Sequence, residues 1–158
     1  MVKMFSSADL LEMAIHLEEE SEKFYKILQS KVEKEDLKRL FSYLAVQEHA
    51  HAITFKKIYY EIEKEGFVSA YPDEEANKYL HAWVESQVFI DWDELTKKTV
   101  WNKEEVLDLA IRLEKDSLLF YYEIEPFIPE KDRKILSEII KQEKDHLYQL
   151  TEFKKGMI

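Results

Sequence analysis

The sequence predicts an all-α protein, a four-helix bundle built from two helical hairpins joined by a long, helix-containing crossover. Three observations predict it. The 158 residues hold 2 Gly and 3 Pro, too few for a turn-rich β protein. Apolar residues recur at steps of three and four through four long segments, the period of a helix with one buried face. The second pair of segments also repeats the first. With 46% hydrophobic and 35% charged residues, the chain reads as soluble and globular, long enough for a single domain with its own core. The hairpins are expected at 6–66 and 102–156, with the crossover at 67–101.

The first helix should start at Ser6 or Ser7, either of which can cap it, and run to about Val32. Its stripe is Leu11, Ala14, Ser21, Tyr25, Leu28 and Val32, interrupted by Glu18. The second is expected from about Glu35 to Glu65, with Gly66 as the residue that ends it. Its stripe is Leu37, Phe41, Leu44, Phe55, Ile58 and Ile62, interrupted by Glu48 and His51. In the crossover, Tyr71-Pro72-Asp73 reads as a turn and helix start, Glu74 to about Val88 as a helix, and Phe89–Val100 as irregular.

A third long helix opens at Asn102, where Asn102 and Glu105 form a capping-box pattern, and must stop by Pro126. Leu107, Ala110, Ser117, Tyr121 and Ile124 form its stripe, interrupted by Glu114. The fourth runs from about Glu130 to Lys155, with stripe Leu136, Ile139, Leu150 and Phe153, interrupted by Glu143 and His146.

The repeat is gapless over fifteen residues: LEMAIHLEEESEKFY (11–25) aligns with LDLAIRLEKDSLLFY (107–121), and QEHAH (47–51) with QEKDH (142–146). Each hairpin thus carries one Glu and then a Glu-x-x-His. Glu18, Glu48, His51, Glu114, Glu143 and His146 all stand mid-helix on stripes that should face the core. Packing those stripes together brings four carboxylates and two imidazoles to one level. Like charges crowded in a medium of low dielectric are costly unless compensated. Two divalent cations would cancel the four negative charges. Residues i and i+3 share a helix face, so the Glu and His of each motif can reach adjacent coordination positions. A Glu/His set without sulfur suits iron or manganese, with zinc able to compete. One Glu plus a Glu-x-x-His from each half is the pattern of ferritin-like di-metal bundles.

On these motifs the chain resembles the ferritin-like di-iron carboxylate proteins, and within them the rubrerythrin family, across all four long helices. The resemblance implies two iron ions, with Glu18 and Glu114 as terminal ligands and Glu48 and Glu143 as bridging carboxylates. It further implies His51 and His146 as the ligands that each cap one iron. It places Tyr25 and Tyr121 near the centre, where they could hydrogen-bond a ligand carboxylate or donate a proton; as ordinary core aromatics they would need only a partner for the hydroxyl.

In two respects the sequence departs from that family. Rubrerythrins usually carry a rubredoxin-like domain with a four-cysteine iron site, and these residues hold 0 Cys. Electrons are therefore expected from a separate donor protein such as a rubredoxin. Rubrerythrins also place a further Glu three residues after the ligand of the third helix, where this chain has Ser117. That leaves the symmetric four-Glu, two-His set shared with bacterioferritin.

The function expected is reduction of hydrogen peroxide or dioxygen. Iron handling as a ferroxidase and a metal-stabilised bundle without catalysis are the alternatives. A net charge of −10 disfavours nucleic acid and anionic membranes as partners. No apolar run of membrane-spanning length and no leader-like N-terminus is evident, so a cytoplasmic homodimer is expected. The other histidines carry less. His16 points off the stripe, His49 lies about 100° round the helix from Glu48, and nothing assigns His81. Trp83, Phe89, Trp92 and Trp101 are expected to cover the bundle with apolar surface.

Overall fold

The computed structural model describes residues 4–66, 74–86, 95, 97 and 101–156. The helices are α1 (Ser7–Lys31), α2 (Glu35–Glu65), α3 (Glu74–Ser86), α4 (Lys103–Ile124) and α5 (Glu130–Lys155). The chain is all-α, and no helix among the described residues is long and apolar enough to cross a membrane.

Local chemistry sets the boundaries. Ser6 is the cap of α1: the Asp9 amide donates to Ser6 Oγ at 3.1 Å and the Ser6 amide to Asp9 Oδ2 at 2.9 Å. Ser7, the other candidate, is buried instead, and its hydroxyl donates to the Phe127 carbonyl at 2.7 Å, tying α1 to the α4–α5 turn. Gly66 ends α2 at φ 68°, left-handed backbone that costs glycine little. Asn102 accepts from the Glu104 amide at 2.8 Å, one residue earlier than the capping-box pattern implies for its side chain. Helix α4 stops at Ile124, and Pro126 sits in a single 3-10 turn, Glu125–Phe127, that leads to α5.

Two apolar clusters divide the bundle lengthwise. Leu10, Leu11, Ile58, Ile62, Ile124 and Leu136 belong to one. Leu28, Val32, Leu37, Val106, Leu107 and Leu150 belong to the other. Helix α1 therefore runs from the first cluster to the second, α2 returns, α4 again runs from second to first, and α5 returns. Since α2 ends where α4 does not begin, the connection has to traverse the bundle. Leu80 lies in the first cluster and Leu95 in the second, so it does. This is the connectivity of ferritin-like bundles, with one long crossover. Helices α1 and α2 pack as one hairpin and α4 and α5 as the other, with further contacts of α1 on α4 and α2 on α5.

One expectation is corrected. Leu95 and Lys97, placed in an irregular segment by sequence, are helical, and Leu95 is buried, so tertiary packing there overrides a weak period. Phe153, near the end of α5, is partly buried and packs against the second cluster, as its place on the stripe implies. The Tyr71-Pro72-Asp73 turn, the side chain of Trp83, and Phe89 and Trp92 lie outside what is described; Trp101 packs against the second cluster.

Tyr43, Val46, Ala50, Ile53, Lys57 and Tyr60 recur at alternating steps of three and four along the outer face of α2, and all six are exposed. The matching repeat positions on α5 are Glu138, Lys141, Asp145, Tyr148, Glu152 and Lys155. One hairpin thus presents an apolar stripe where its internal copy presents charge.

Candidate metal centre

Between the two apolar clusters lies a polar layer. Glu18 comes from α1, Glu48 and His51 from α2, Glu114 from α4, and Glu143 and His146 from α5. None is more than 3% exposed. Each falls on the buried face because the apolar period of its helix carries it there, and the antiparallel packing of each hairpin brings its positions level.

One ligand atom from each of Glu18, Glu48, His51 and Glu143 lies within 4.8 Å of the others, and the same holds for Glu48, Glu114, Glu143 and His146. The two groups share Glu48 and Glu143. Glu48 and Glu143 thus stand between the two groups, with one further Glu and one His at each end. The histidine rings stack, centroids 5.8 Å apart and 20° from parallel.

The tyrosines cross between halves. Tyr25 on α1 donates to Glu114 Oε1 on α4, and Tyr121 on α4 donates to Glu18 Oε1 on α1. Sequence places each tyrosine seven residues after the Glu of its own helix, and the fold pairs each with the Glu of the other hairpin. Both hydroxyls are fully buried, and burial followed by the neighbouring carboxylates raises their pKa well above the usual phenol value, so they remain donors. The pairing also keys the hairpins to one another.

Without cations, protons do the compensating. Burial, and then the charges of Glu48 and Glu143, push the Glu18 and Glu114 carboxyls well above the ordinary range. For His51, burial alone would favour the neutral ring, but Glu143, Glu18 and Glu48 outweigh it and hold the imidazolium. Glu114, Glu143 and Glu48 do the same for His146. Burial would raise Glu143 too, yet the neighbouring Glu114, His146 and His51 outweigh it and hold it below the usual carboxylate value.

The donor set fits first-row metal binding. Glu18 Oε2, Glu114 Oε2 and both His146 nitrogens are buried with no hydrogen-bond partner among the described residues. Such groups normally have one. A cation about 2.1 Å from each ligand spans roughly 4.2 Å between opposite ligands, close to the spread found here. Oxygen and imidazole without sulfur suit iron or manganese.

Ser117, at the position where the resembled pattern has a further Glu, turns its hydroxyl back to the Leu113 carbonyl at 3.0 Å, and Ser21 does the same to Leu17 at 2.8 Å. No seventh ligand enters from either position. His16 and His49 are exposed, and His49 Nδ1 sits 2.8 Å from Glu22 Oε1. His81 stacks on Phe5 at 4.2 Å, far from the centre in the fold. One residue escaped sequence reading: Gln142, whose Oε1 is 2.7 Å from His51 Nε2. The only signal for it was a Gln before the Glu of both motifs.

The profile of the rubrerythrin family matches residues 9–154. A crystal structure from Thermotoga maritima, of a protein described as a candidate ferritin-like diiron-carboxylate protein, is 33% identical with a TM-score of 0.82, covering 98% of each chain. No curated protein matches the sequence.

Proposed function

The chain belongs to the rubrerythrin family, and from that premise we propose that it is a di-iron carboxylate oxidoreductase that reduces hydrogen peroxide or dioxygen with electrons from a separate donor protein. The observation that carries the reading is the pair of buried ligand groups sharing Glu48 and Glu143. In the proposed ligand set, Glu18 and His51 hold one ion, Glu114 and His146 the other, and Glu48 and Glu143 bridge them. When bound, the ion pair supplies Lewis acidity and two electrons at one place.

What the chain supplies is charge and protons. Reduction of peroxide to two waters consumes two electrons and two protons. The Tyr25 and Tyr121 hydroxyls each point a proton at a terminal carboxylate, Glu114 and Glu18, and stay protonated at neutral pH. They hold those carboxylates in place as charge changes at the centre, and are the protons nearest to it from the core side. The apolar clusters above and below exclude water from the layer. No cysteine is present among the 158 residues, so reducing equivalents come from outside them.

The test is anaerobic stopped-flow mixing of the iron(II)-loaded protein with peroxide. Near-ultraviolet absorbance of ferric iron should rise within seconds, with one peroxide consumed per two irons. No rise, or the same rise in Glu48→Ala, rejects the redox reading. Oxidation by dioxygen alone with iron retained in large hollow assemblies would instead favour iron storage.

The apolar outer stripe of α2 supports pairing with a second copy. Reversed on itself it sets Tyr43 opposite Tyr60 and Ala50 opposite Ile53, the self-complementarity a two-fold contact requires. Sedimentation equilibrium should give a dimer for the native chain and a monomer for Ala50→Glu/Ile53→Glu, which sets like charges opposite one another; a native monomer refutes the pairing.

A further inference from the structure

We propose that Gln142 makes the two metal positions unequal, so that the position formed by Glu18 and His51 fills first and holds its ion more tightly. This rests on the metal-centre reading above and goes beyond it, because that ligand set is symmetric and gives no order of filling.

Gln142 is an exposed residue on α5, yet its amide oxygen reaches inward to His51 Nε2 on α2, 2.7 Å away. An amide oxygen only accepts, so Nε2 must carry the hydrogen. The other ring nitrogen, Nδ1, is then the atom left to bind a cation. It faces the carboxylates, 2.7 Å from Glu143, 3.1 Å from Glu48 and 3.5 Å from Glu18. The bond thus fixes both which nitrogen faces the centre and how the ring is turned.

The repeat supplies an internal control. Gln47 stands before Glu48 as Gln142 stands before Glu143. Yet His146 Nε2 has no hydrogen-bond partner among the described residues. Nδ1 of His146 is farther from its carboxylates, 3.6 Å from Glu48, 3.7 Å from Glu114 and 3.8 Å from Glu143. The rings beside it, His51 stacked at 5.8 Å and Tyr43 edge-on at 6.2 Å between centroids, give its Nε2 no acceptor. One imidazole is therefore set for ligation before any ion arrives; the other must turn and settle as the ion binds. Partners of this kind orient a ligating histidine and raise its basicity, and losing one costs about 10–100-fold in metal affinity. Gln142 is a positioning residue: it acts through His51. It also lines a shallow depression with Glu138, Lys141, Lys144 and Asp145, so the device that orients His51 is reachable from solvent.

Titration of the metal-free chain with manganese(II), followed by calorimetry and by anomalous diffraction at one equivalent per chain, tests this. Two binding steps at least about 10-fold apart are expected, with the stronger anomalous peak between Glu18 and His51. Gln142→Leu should weaken the first step by about 10–100-fold and even out the two peaks. Gln142→Glu, which keeps an acceptor, should restore the order, and Gln47→Leu should leave the first step unchanged. Metal-free Gln142→Leu and Gln142→Glu should both stay folded and melt cooperatively, separating ligand positioning from folding. Equal peaks in the native chain, or an unchanged first step in Gln142→Leu, overturn the inference while leaving the metal centre standing. No manganese bound at any concentration overturns the centre itself and this inference with it.

Discussion

Glu48→Ala and Glu143→Ala should each abolish stable occupancy of both metal positions and reduce peroxide turnover by at least about 100-fold, the upper end of what loss of an outer partner alone costs. Glu18→Ala and Glu114→Ala should be milder toward metal, each sparing the far position. The asymmetry follows from geometry: Glu48 and Glu143 belong to both groups of four, whereas Glu18 and Glu114 belong to one each. Removing a shared carboxylate takes a ligand from both ions and removes the negative charge that lets two dications sit side by side. Metal content after desalting, measured beside turnover, checks it. Equal metal loss across all four variants would contradict the assignment of bridging and terminal roles, and full loading of Glu48→Ala would contradict the site.

Stripping the metal should cost stability, and the cost should grow as pH rises. A ligand present at about 1,000 times its dissociation constant stabilises the folded state by about 4 kcal/mol per site. Melting shifts by about 2–4 °C per kcal/mol for a domain of this size, so two sites imply a loss of roughly 16–32 °C on chelation.

The pH dependence follows from the protons that replace the cations. In the unfolded chain, the carboxyls of Glu18 and Glu114 titrate near 4.5 and the imidazoles of His51 and His146 near 6.5. In the folded, metal-free chain all four pKa values are raised, so the folded state binds more protons than the unfolded one. Its stability must then fall as pH rises, for the carboxyls above about 4.5 and for the imidazoles above about 6.5. Each retained proton contributes about 1.4 kcal/mol per pH unit. Glu143, with its lowered pKa, contributes stability that is lost as pH falls below about 4.5 and is constant over the range from pH 5 to pH 8. With the cations bound these protons would be displaced, and the loaded protein should lack this slope. The gap between loaded and stripped melting temperatures should therefore widen from pH 5 to pH 8. A gap that is constant or narrows over that range would mean the buried groups are not exchanging protons for metal.

Much of this was legible in the sequence because two periodicities reinforced one another. A single Glu on an apolar stripe is ambiguous. Glu18 is singled out from Glu19 and Glu20 because it alone lies on the stripe and because Glu114 occupies the same place in the repeat. Glu35–Glu65 was readable at both ends because the break after Val32 and the lone Gly66 punctuate it. What escaped depends on how helices face each other, which a one-dimensional pattern does not encode. The crossing of Tyr25 to Glu114 and Tyr121 to Glu18 needs the register of α1 against α4. The reach of Gln142 to His51 spans 91 residues and needs that of α5 against α2. Leu95 was unreadable because a burial set by what lies opposite leaves no period of its own.

The central claim is that four inward-turned carboxylates are tolerated at the heart of the bundle because they hold a pair of iron ions. Diffraction from crystals grown with iron(II), recorded on both sides of the iron absorption edge, tests it most directly. Two anomalous peaks should appear in the polar layer, one bounded by Glu18, Glu48, His51 and Glu143, the other by Glu48, Glu114, Glu143 and His146. A layer without iron, a single ion shared by all six residues, or peaks only at surface carboxylates would contradict it.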